Sequence, residues 1–61
     1  METKTYYIQN TNELDEAIET IENNFPCFIN REFIEMDYSE VEIKTRLEDI
    51  ANIEKILAPL V

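Results

Sequence analysis

The sequence predicts one small α+β domain over residues 1–61, with element order β-α-β-β-α. Three observations carry that prediction. Leu14, Ala17, Ile18, Ile21 and Phe25 recur at the spacing of one helical stripe. Val41 and Ile43 alternate with Glu40, Glu42 and Lys44, the period of a strand with one buried face. Ile50, Ile53, Leu57 and Leu60 then return to helical spacing. The simplest arrangement of these parts is a three-stranded, largely antiparallel sheet with both helices packed on one face.

Taken in order, Thr3 to Gln9 is the first strand, because Thr5, Tyr6, Tyr7 and Ile8 are β-branched or aromatic and an Asn-rich break follows. Tyr6 and Ile8 share one face of it, and Thr5 and Tyr7 the other. The first helix takes Asn12 as its N-cap, with Glu13, Asp15 and Glu16 complementing the positive end of its dipole. Asn23, Asn24 and Pro26 stop it. From Cys27 to Thr45 the pattern is a hairpin: Phe28, Ile29, Phe33, Ile34 and Met36 precede a break at Asp37 to Ser39, and Val41 and Ile43 follow it. Phe28 and Phe33 have opposite parity, which predicts a bulge or extra turn at Asn30 to Glu32. In the last helix Thr45 and Glu48 have capping-box spacing, and Pro59 ends the regular part near Leu57. The chain holds no glycine, so left-handed turn positions are expected to fall on Asn and Asp.

A domain of this length buries only roughly 60% of the surface its unfolded chain exposes, so its stability is thin. Disulfides, a structural metal or self-association are the usual reinforcements. Cys27 is the single cysteine and there is no histidine, which removes an intrachain disulfide and a structural zinc site. Self-association remains. Ile56, Leu60 and Val61 extend the second helical stripe beyond what one small core covers, and the far face of the sheet offers Tyr7 with Phe33 or Ile29. Such apolar surface is where a second copy is expected to dock, through the sheet or the C-terminal helix.

Fourteen acidic residues against five basic ones give a net charge of −9. That charge opposes direct contact with nucleic-acid phosphates and with anionic membranes. The surplus is uneven, since Glu13 to Glu42 holds ten acidic residues and only Arg31 as a base. There is no long apolar run, and Met1 to Asn10 lacks the basic start and apolar stretch of a signal peptide, so the expected compartment is the cytoplasm.

The absence of histidine takes away the commonest general base and nucleophile partner, so no catalytic residue is expected. Glu35, Asp37, Glu40 and Glu42 gather near the hairpin turn, yet their spacing is not that of a calcium loop, and no metal ligand is assigned. Without a glycine-rich loop, none of the familiar phosphate-cradling motifs is present and no cofactor is expected. Cys27 has only Arg31 as a nearby base in sequence, which favours a small buried hydrophobe over a reactive thiol.

These exclusions leave binding. The expected function is that of a small acidic, non-catalytic protein-binding module, an adaptor or regulator acting as a homodimer. Glu13, Glu16, Glu19 and Glu22 on the outer face of the first helix are the candidate surface for a basic protein partner. Tyr7 and Tyr38 are further candidates, because tyrosine combines an apolar body with a polar tip and is favoured in binding hot spots. The alternative is an inhibitor whose carboxylates mimic the phosphates of DNA or RNA, or an inhibitor of the antitoxin or immunity type.

Overall fold

A computed structural model describes all 61 residues. Strand β1 spans Glu2–Gln9, helix α1 Asn12–Asn24, strand β2 Cys27–Phe33, strand β3 Tyr38–Thr45 and helix α2 Leu47–Leu57; a short 3-10 turn, Ala58–Leu60, follows. This is the expected order. The three strands form one antiparallel sheet in the order β1-β3-β2, so β3 is central and the other two are edges.

Both helices cover one face of this sheet. Ile8 of β1, Val41 and Ile43 of β3, Leu14, Ala17 and Ile21 of α1, and Ile53 and Leu57 of α2 make the core. The alternation of β3 decides which way the sheet faces: Ser39, Val41, Ile43 and Thr45 are all buried, while Tyr38, Glu40, Glu42 and Lys44 project to the open side.

Several local expectations need correction. The N-cap of α1 is Thr11 rather than Asn12; its extended backbone lets Oγ1 accept from the Leu14 N–H at 3.3 Å, satisfying a donor the helix cannot use. Thr45 and Glu48 form no capping box. Strand β3 continues through Thr45, whose buried hydroxyl donates instead to the Pro26 carbonyl at 3.2 Å. Arg46 takes the cap position with no side-chain bond to the helix backbone. At the other end of α1, Phe25 turns extended because Pro26 disfavours a helical residue before it.

No bulge interrupts β2, whose pairing with β3 runs unbroken from Cys27↔Thr45 to Phe33↔Ser39. The parity conflict is resolved in another way: Phe28 points to the open face, 71% exposed, while Cys27, Ile29 and Arg31 face the helices. The open face therefore carries Tyr7, Phe28 and Tyr38 rather than Phe33 or Ile29. Strand β2 stops at Phe33, Ile34 to Asp37 form the turn, and Tyr38 and Ser39 already belong to β3. The turn closes with the Tyr38 N–H donating to the Glu35 carbonyl and the Ile34 N–H to the Tyr38 carbonyl. No residue in the chain has a positive φ. Connections that stay in ordinary backbone regions thus remove the expected need for left-handed Asn and Asp.

Candidate functional site

Helix α1 places Leu14, Ala17 and Ile21 inward and leaves Glu13, Glu16, Glu19 and Glu22 exposed. At 3.6 residues per turn, a three-residue step falls about 60° short of a full turn. The four carboxylates therefore form a ribbon about 14 Å long that crosses the outer half of the helix diagonally. None of them enters a salt bridge or a side-chain hydrogen bond.

Asp15, in the same helix, is different. Arg31 reaches up from β2 and its Nη1 meets Asp15 Oδ1 at 2.6 Å. The same guanidinium donates from Nη2 to Asn10 Oδ1 at 2.9 Å and from Nε to Ser39 Oγ at 3.3 Å, and it lies 4.8 Å from the centre of the Phe33 ring. The Ser39 hydroxyl also donates to Asn10 Oδ1. Arg31 thus joins both edges of the sheet to α1. This polar junction was not singled out from sequence, although its one available signal was there: Arg31 is the lone base in a long acidic stretch.

The other candidate residues lie elsewhere. Tyr7 and Tyr38 project from the open face of the sheet, on the side away from α1. Tyr7 lies opposite Glu40 and donates to it at 3.3 Å. Ile56 and Leu60 are half-buried against the core, and Val61 is 74% exposed. The proposed binding set is therefore split between two faces, with the four glutamates together on one and the two tyrosines on the other.

Cations are scarce and mostly engaged. Arg46 Nε donates to Asp49 Oδ2 at 2.8 Å, and Arg46 Nη1 sits 3.3 Å from Glu48. The hydrogen bond to Asp49 raises the Arg46 pKa further, and Asp49 itself has a side chain only 10% exposed. Glu54 receives the Tyr6 hydroxyl at 3.4 Å and Lys4 Nζ at 3.9 Å. Burial, then the charge of Glu54 and its hydrogen bond, push the Tyr6 phenol above its ordinary pKa. Burial, followed by the charges of Glu22 and Asp49, likewise pushes the Cys27 thiol up, so its nucleophilic thiolate is suppressed.

Glu35, Asp37, Glu40 and Glu42 do not come together: no three carboxylate or thiol groups of the chain are arranged to hold a metal ion. No helix is long and apolar enough to cross a membrane. No protein-family model, curated protein or solved structure matches the chain.

Proposed function

We propose that this chain is a small acidic protein-binding module that presents the outer face of α1 to a partner with a basic surface. The observation that carries the reading is the ribbon Glu13, Glu16, Glu19 and Glu22, exposed and without an internal counter-ion. Unpaired carboxylates on a rigid helix create a directed negative potential, which speeds encounter with a basic surface and sets orientation. Asp15 stands beside the ribbon but is already neutralised by Arg31, so the four glutamates are the part of α1 left to meet an external cation.

The test is capture from an extract of the source cell by immobilised protein. Wild type is expected to retain a partner with a basic surface, and Glu16→Lys/Glu19→Lys/Glu22→Lys to lose it. Retention by both forms removes the reading. A partner that is itself a nucleic-acid-binding protein, released by moderate salt and by added DNA, would turn the assignment to phosphate mimicry, for which steep salt dependence is the signature.

A further inference from the structure

Three unpartnered surfaces remain: the open face of the sheet, the free edge of β2 and the free edge of β1. On the open face, Glu32 lies directly opposite Glu40, with Glu42 next along β3. Stacking two copies there would set these carboxylates against their own duplicates. The β2 edge runs beneath α1, to which Arg31 ties it, so joining two copies there would bring the two acidic ribbons towards each other. The β1 edge is free of both objections.

We propose that two copies of this chain pair antiparallel along β1, continuing the sheet across a two-fold axis at Thr5. The hydrogen-bond phase of the sheet is the first argument. The Asn10 N–H donates to the Asp37 carbonyl, extending the β1–β3 register by one pair beyond Gln9↔Tyr38. Hydrogen-bonded pairs alternate in an antiparallel ladder. The even residues Lys4, Tyr6 and Ile8 are therefore bonded to β3, and the N–H and C=O groups of Thr3, Thr5, Tyr7 and Gln9 face outward. This edge has eight residues, no bulge and no proline, the features that make an edge a template for another strand.

Charge supplies the second argument. Within a chain of net charge −9, β1 carries one Glu and one Lys and is neutral. Pairing about Thr5 sets Lys4 opposite Tyr6 of the other copy. The Tyr6 hydroxyl is bonded to Glu54, so each Lys4, already 3.9 Å from the Glu54 of its own copy, also comes beside the Glu54 of the other copy and bridges the two carboxylates. Two such pairs form by symmetry. On the other face, Thr3 pairs with Tyr7 and Thr5 with itself, combinations that favour sheet pairing.

The flank of α2 gives the third. Leu47, Ala51, Glu54 and Ala58 lie at steps of four, three and four, which is one stripe of a helix. The contacts of Glu54 with Tyr6 and Lys4 place that stripe on the β1 side. All four residues are exposed, Leu47 by 71%. Strand pairing would bring two of these mostly apolar flanks together above the joined sheet. Ile56 and Leu60, expected from sequence at such an interface, are instead half-buried against the core of their own chain.

Sedimentation equilibrium, with amide exchange followed by nuclear magnetic resonance, tests the proposal. The expected result is a dimer in which the amides of Thr3, Thr5 and Tyr7 gain protection as concentration rises, while those bonded to β3 are protected throughout. Thr5→Pro removes an outward N–H without touching the β1–β3 ladder, a position an edge strand tolerates, and should leave the circular dichroism native and the protein monomeric. Lys4→Glu should weaken association by about tenfold, the size of two surface ion pairs, and Lys4→Glu/Glu54→Lys should restore it. A monomer at every concentration overturns the proposal, as does a dimer whose Thr5 amide exchanges freely or one that survives Thr5→Pro in folded form. The result is independent of the α1 reading, since a monomer with an acidic helix still captures a basic partner.

Discussion

The two helices are both amphipathic and both lie on the same face of the sheet, yet they differ in what becomes of their acidic residues. In α2, Glu48 and Asp49 are paired with Arg46, and Glu54 is held by Tyr6 and Lys4. In α1 only Asp15 has a cation, and Glu13, Glu16, Glu19 and Glu22 have none. The α2 carboxylates fasten the helix to its surroundings. Those of α1 add repulsion in a chain already strongly negative, with no cation of the chain to offset it. Composition alone treats all fourteen acidic residues alike; the difference between the helices separates structural acids from available ones.

The largest expected effect falls where the helices are alike. Leu14→Ala in α1 and Leu57→Ala in α2 each remove a fully buried side chain and should cost about 2–5 kcal/mol. A core of this size rarely supplies more than about 3–5 kcal/mol, so thermal melts of both variants should show little folded protein at physiological temperature. A mild effect in one helix alone would mean that the core is not shared equally.

The helices should diverge in their response to charge removal. Arg46→Met leaves Asp49, nearly buried, without its cation, and should lower the melting temperature clearly. Glu19→Gln removes an unpaired exposed charge and should leave the melting temperature unchanged or raise it. Scanning calorimetry on the two variants decides the matter; equal losses would erase the distinction.

The smallest effect is alkaline. The Tyr6 phenol is raised above its ordinary value of 10.0 by burial and then by Glu54. Between that value and the folded one, the unfolded chain has lost a proton that the folded chain keeps, so stability must fall as pH rises. Melting temperatures measured on either side of pH 10.0 should therefore drop more for wild type than for Tyr6→Phe. An identical drop would show that neither burial nor Glu54 holds the Tyr6 phenol above its ordinary value in solution.

The architecture was legible because its signals are periodic. The stripes of α1 and α2 and the alternation of β3 each repeat over several residues, and burial of the repeated side chains outweighs any single local preference. Details that depend on one contact were not legible. The spacing of Thr45 and Glu48 suits a capping box, but the continuation of β3 engages Thr45 elsewhere. The opposite parity of Phe28 and Phe33 suggests a bulge between them, whereas unbroken pairing with β3 leaves the two on opposite faces, Phe28 opposite Lys44 on the open one. At the candidate site, exposure of the α1 glutamates followed from helical geometry. Their lack of cations did not, because which acids Arg31, Arg46 and Lys4 reach is decided by the packing of distant segments.

The most direct measurement compares partner capture by wild type with capture by two variants of equal charge change: Glu16→Lys/Glu19→Lys/Glu22→Lys on α1, and Glu32→Lys/Glu35→Lys/Glu42→Lys, exposed and unpaired, away from it. Loss of the partner by the α1 variant, with retention by the other, is the predicted result. Equal retention by both, or equal loss in proportion to net charge alone, would contradict the assignment of function to α1.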